Sequence, residues 1–62
     1  MSVKRRELVK YFEDHGFHLL REGQKHSIYS NDIKVIPIKR HRTFDRITAN
    51  ELCKQAGLNP KY

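Results

Sequence analysis

The residues able to do chemistry are few: His15, His18, His26 and His41, and a run of cations (Lys39, Arg40, Arg42 and Arg46) around the last of them. An imidazole with its ordinary pKa of ~6.5 can give or take a proton at neutral pH. Gly16 breaks the chain's helical periodicity between His15 and His18, so that pair lacks helical metal-ligand spacing. His15 closes the first helix, where the dipole favours a cation, and His18 reads as a rim side chain on a short strand. His26 follows Gly23-Gln24-Lys25 at a turn-to-strand junction, a place that can present a side chain to a ligand. Residue type alone favours the plainer reading, a polar strand residue. The basic run at 39–46 suits phosphate, but also suits a solvated loop or the seat of an acidic partner protein. Cys53 stands alone, so it offers neither an internal disulfide nor a zinc site, and it reads as a small apolar core residue.

Positioning these groups requires the elements around them. Leu8, Val9 and Phe12, with Tyr11 beside them, form one apolar stripe and predict a helix over 3–15. Ser2 is its expected N-cap and Gly16 its left-handed stop. Residues 17–21 suit a strand and 22–24 a turn. Residues 26–30 and 33–38 read as two strands joined by a tight Asn31-Asp32 hairpin. That register sets Tyr29 opposite Lys34 and Ile28 opposite Val35. His26, Ile28, Ile33 and Val35 then share the expected helix-covered face, with Lys25, Ser27, Tyr29, Lys34 and Ile36 on the other. Pro37 cannot donate to a ladder, so it marks a strand end or an edge. Residues 39–46 read as a loop. Thr48 and Glu51 have capping-box spacing, and Ile47 and Leu52 staple spacing, which predicts a helix starting at Thr48. Its buried stripe is Ala49, Leu52, Cys53 and Ala56, and Gly57 and Pro60 end it. The order is helix, three strands, helix: an α+β fold, α-β-β-β-α, with a three-stranded antiparallel sheet carrying both helices on one face.

The 62 residues are expected to make one domain, 1–62. A chain this short hides only about 60% of its unfolded surface, which favours a shallow groove over a deep walled cavity. No apolar run approaches the ~20 residues that cross a bilayer. The first residues lack a signal peptide's apolar stretch, so the expected compartment is the cytoplasm and no membrane contact is expected. Thirteen Lys and Arg against seven Asp and Glu give +6, spread along the chain, which points to a polyanion such as nucleic acid.

The ordered set of motifs resembles HicA-type mRNA interferase toxins of type II toxin–antitoxin systems. The resemblance rests on Arg6-Glu7-Leu8 and Gly16-Phe17 around the first helix, and on Gly23-Gln24-Lys25-His26-Ser27-Ile28-Tyr29. It continues through Val35-Ile36-Pro37, Arg40-His41-Arg42 and Cys53-Lys54-Gln55-Ala56-Gly57-Leu58, from about residue 4 to 58. Many relatives have two glycines or Gly-Ser where this chain has Gln24-Lys25. Relatives of the Arg-His-Arg type often have Pro in place of Lys39 and an acidic residue in place of Thr43. The resemblance implies a fold like a double-stranded-RNA-binding domain, endoribonuclease activity on mRNA, His26 as the catalytic histidine, and inhibition by a HicB-type antitoxin that covers the active site.

The chemistry such an enzyme needs can be stated independently. RNA carries its own nucleophile: a 2′-OH attacks the adjacent phosphate once a base takes its proton, and the 5′-oxygen leaves as an acid protonates it. No metal or other cofactor is required. Charge building on the phosphorane needs cations. Lys25 is a candidate for that role, Lys39, Arg40 and Arg42 for flanking phosphates, Tyr29 for base stacking, and His41 or a water for the second proton transfer. Two other readings stay open on sequence alone: a non-catalytic RNA-binding module of the same fold, and an adaptor whose basic surface serves an acidic protein.

Overall fold

The computed structural model describes residues 2–62. Its elements are β1 (Ser2–Lys4), α1 (Arg5–Asp14), β2 (His18–Glu22), β3 (His26–Ser30), β4 (Val35–Lys39), β5 (Thr43–Asp45) and α2 (Arg46–Gln55). Strands β2, β3 and β4 form an antiparallel sheet with β3 in the middle, and β1 pairs with β5 in a separate two-stranded ribbon. The α+β, α-β-β-β-α plan is therefore present, with a small ribbon added at the ends.

The ribbon corrects both expected helix starts. Val3 pairs with Phe44 across it, and both side chains are buried. Residues 2–4 are thus extended, α1 begins at Arg5, and Lys4 rather than Ser2 is its N-cap, without a side-chain cap. The same pairing draws 43–45 out of the expected loop. Asp45 is the N-cap of α2, and its carboxylate accepts the Thr48 amide at 2.7 Å. Phe44 and Ala49, both buried, stand at the staple positions expected of Ile47 and Leu52, and Ile47 is exposed. The Thr48 amide first, then its hydroxyl, hold the Asp45 carboxyl below its ordinary value. A depressed folded pKa stabilises the fold above the unfolded value near ~4, and that contribution is lost as pH falls through the folded value. Asn caps as well as Asp but does not titrate. In thermal melts the advantage of wild type over Asp45→Asn should therefore shrink as pH falls below ~4.

Both helices end alike. The Phe17 amide donates to the Phe12 carbonyl and the Gly16 amide to that of Glu13, with Gly16 at φ 87°. Leu58 donates to Cys53 and Gly57 to Lys54, with Gly57 at φ 77°. Each set is the 6→1 and 5→2 pair of a Schellman stop, which needs a residue without Cβ strain at the left-handed position.

The β3–β4 connection runs over 31–34 and not through a two-residue turn. Asn31 Oδ1 accepts the amides of Ile33 and Lys34, at 3.1 and 2.7 Å, and Asp32 takes the positive φ of 73°. The side chain widens the loop, so Tyr29 pairs with Ile36, Ile28 with Pro37 and His26 with Lys39. The register is displaced by two residues. Two is the strand period, so the β3 and β4 residues keep their sharing of faces, while Ile33 leaves the strand for the loop. Which face is covered is the reverse of expectation. Ser27, Tyr29, Ile36 and Ile38 are buried against Leu8, Phe12, Ala49 and Cys53, whereas Val35 is 58% exposed. The reason lies in His26 and Lys39: burying that face would strip water from two polar heads with no partners. The other face asks this only of Ser27, whose hydroxyl is met by Arg5. Pro37 sits on the edge strand β4, which continues to Lys39.

Candidate functional site

His26 therefore lies on the open face of the sheet. It opens β3 immediately after the 23–25 turn and is half-buried, directly across from Lys39. Around it is a shallow cleft of about 380 Å³ lined by Gln24, Lys25, His26, Lys39, Arg40 and His41. Four parts of the chain far apart in sequence or separated by a turn are needed for this: the turn, the start of β3, the end of β4, and the 40–42 connection that the β1–β5 ribbon pulls tight.

Arg40 holds the turn. Its guanidinium donates to the Gln24 carbonyl at 2.9 Å, to that of Gly23, and more weakly to that of His26 at 3.5 Å, and it pairs with Glu22 at 3.8 Å. The Gly23 amide donates to the His26 carbonyl at 2.8 Å. A Cβ on Gly23 would stand 3.2 Å from that same oxygen, so glycine is what lets the turn close against His26. The fork expected on a phosphate is thus engaged with backbone oxygens, and Arg40 positions the segment that carries His26.

His41 is exposed, and its ring runs parallel to that of Phe44, centroids 6.1 Å apart and planes 5° from parallel. Phe44 is a core residue, so the ring beside the loop imidazole is fixed in place. Lys25 and Lys39 are exposed on the rim of the cleft. Arg42 lies beyond it, in an adjoining cleft. Tyr29 does not join them: it is 7% exposed and belongs to the core on the opposite face of the sheet, so its ring is not offered to a base. Cys53 is fully buried, and burial pushes its thiol pKa up, which removes it as a nucleophile. His15 Nδ1–H donates to the Tyr11 carbonyl, 2.9 Å away, and the ring packs edge-on against the Tyr11 ring, a local role at the end of α1. His18 is exposed on β2. Among the described residues, no group of three or more His, Cys, Asp and Glu is placed to hold a metal ion.

Sequence reasoning missed two supporting residues. Arg5 Nη2 donates to the buried Ser27 hydroxyl at 2.7 Å, and Arg5 Nε donates to the Lys39 carbonyl at 3.1 Å. Ser27 follows His26, and Lys39 faces it, so one guanidinium ties both neighbours of the imidazole from behind. No local pattern announces an arginine that acts across 22 and 34 residues. Arg5→Ala strips a buried hydroxyl of its donor and should cost about 1–3 kcal/mol in urea denaturation. The double variant Arg5→Ala/Ser27→Ala, which leaves no orphaned hydroxyl, should cost less than the sum of the two single changes.

The class this geometry defines is a small α+β protein with an imidazole on an open sheet face, set among unburied cations. Residues 5–58 match the family model described as HicA toxin of bacterial toxin-antitoxin, and the chain belongs to that family. It is thereby a toxin of a bacterial toxin–antitoxin system, which implies an antitoxin partner. No curated protein and no solved structure matches the chain. Among the described residues, no helix is long and apolar enough to cross a membrane.

Proposed function

We propose that this toxin is an endoribonuclease of the cytoplasm that cleaves mRNA without a metal, with His26 as the general acid/base, as one domain over 1–62. The observation that carries the reading is the placement of His26: half-buried on the open sheet face, in a cleft whose charged lining is entirely basic. His26 takes the proton of a ribose 2′-OH. The oxygen then bonds to the adjacent phosphorus, and the bond to the 5′-oxygen breaks as that oxygen is protonated. The products are a 2′,3′-cyclic phosphate and a 5′-OH. One imidazole serves one transfer at a time, so His41, the other imidazole of the cleft, is the natural second group. Lys25 and Lys39 offset the charge that builds on the phosphorane. A rim this shallow reads bases weakly, so little sequence preference is expected.

The antitoxin is a HicB-type protein that covers the cleft, with acidic groups facing Lys25 and Lys39. The reading is tested by incubating the purified toxin with a transcript at neutral pH in a chelator and mapping the ends. Cyclic phosphate and 5′-OH ends, suppressed by the antitoxin, are expected. Intact transcript, or 5′-phosphate and 3′-OH ends, overturns the mechanism.

A further inference from the structure

On the other side of the 40–42 connection lies a second and larger cleft, of about 570 Å³. It is bounded by Lys4, Arg5 and Arg6 from the start of α1 and by Arg40, His41 and Arg42 from the connection. No acidic residue lines it. Its floor is fixed, because the Arg5 amide donates to the Arg42 carbonyl at 2.9 Å. It shares Arg40 and His41 with the His26 cleft, so the two clefts lie side by side along that pair.

The cations differ in how they are used. Lys10 and Lys54 are paired with Asp14 and Glu51, and Arg40 with Glu22. Among the described residues, no ion pair engages Lys4, Arg6 or Arg42, and all three are exposed. Like charges held together without counter-charges repel one another, and a polyanion relieves this. The lining also has no large aliphatic or aromatic side chain to anchor a protein partner. A phosphate backbone needs only placed positive charge. His41 is exposed, with its ring parallel to that of the core residue Phe44, and can stack on a base.

We infer that the cleft of Lys4, Arg6 and Arg42 is a phosphate-binding subsite that holds the single-stranded RNA backbone to one side of the bond cut at His26. This rests on the endoribonuclease reading for its substrate. The paired clefts set a minimum length of strand, engaged across both, and make affinity for RNA depend on residues that never meet the reacting atoms.

The test is equilibrium binding of a 2′-O-methyl oligouridylate dodecamer, followed by fluorescence anisotropy over a range of salt concentrations. The strand lacks the 2′-OH, so binding is read whether or not the protein cleaves. Lys4→Gln/Arg6→Gln should lower the slope of log affinity against log salt by about 1.4, at ~0.7 for each phosphate left without its cation. Lys10→Gln/Lys54→Gln, an equal change in charge at paired positions, should leave the slope at the wild-type value. An unchanged slope in the first pair, or an equal fall in the second, overturns the proposal. So does binding of polyglutamate but not RNA at the cleft. A wild type that binds with the steeper slope yet leaves ordinary RNA whole keeps the subsite and refutes the nuclease.

Discussion

His26→Ala is expected to lower transcript cleavage by the purified toxin by roughly 10²–10⁴-fold, the usual share of a placed acid/base group, and to abolish growth arrest on induction. The backbone at His26 is held by its own carbonyl, which accepts from Gly23 and Arg40, and neither bond uses the imidazole. The ring lies on the open face, so its removal leaves no cavity in the core. The variant should then melt with the wild type, within about 0.5 kcal/mol, and should bind a 2′-O-methyl strand with nearly the wild-type salt slope, since neutralised phosphates set that slope. Loss of cleavage with binding and stability retained separates proton transfer from a merely binding imidazole. If His26→Ala cuts RNA as fast as wild type, or arrests growth as strongly, the acid/base assignment fails.

Local chemistry made much of this site readable and long-range pairing hid the rest. The bounds of β3 at His26–Ser30 agree with the reading from residues alone, because Gly23 and Asn31 punctuate the strand on both sides. Gly16 and Gly57 are legible as helix stops, since a left-handed residue after an apolar stripe has few other uses. The covered face of the sheet was not legible from alternation, because both faces carry apolar residues: Ile28 and Val35 on one, Tyr29, Ile36 and Ile38 on the other. The polar residues between them decide it, through a partner 22 residues away that satisfies Ser27. The β1–β5 ribbon was equally hidden, for strands of three residues have no period to detect. Tyr29 illustrates the consequence: an aromatic three residues from the catalytic candidate suggests stacking, yet an odd number of steps along a strand places it on the other face, in the core. Arg40 and Arg42 look alike in sequence. The structure commits one to carbonyl oxygens and leaves the other facing an open cleft.

Phe12→Ala is expected to remove 3–5 kcal/mol of stability, the range for a buried phenylalanine cut to alanine (about that size in cores generally). Phe12 is fully buried and packs on Phe17 with ring centroids 5.0 Å apart. That packing joins positions C3 and C″ of the Schellman stop, so one ring closes the core and fixes where α1 ends. Proteins hold about 0.05–0.15 kcal/mol per residue, which for a chain of 62 residues is a total of roughly 3–9 kcal/mol. Loss of Phe12 therefore consumes much of what there is. The start of α1 would then no longer be held, and with it Arg5, which ties Ser27 and Lys39 behind His26. Toxicity should vanish in Phe12→Ala as it does in His26→Ala, but for a different reason: the first protein should lose its cooperative urea transition or shift its midpoint far down, and the second should keep both. Phe12→Leu, which keeps most of the apolar volume, should fall between and retain activity. A Phe12→Ala protein with the wild-type urea midpoint would show that the core closes without this ring, and that α1 reaches the site by another route.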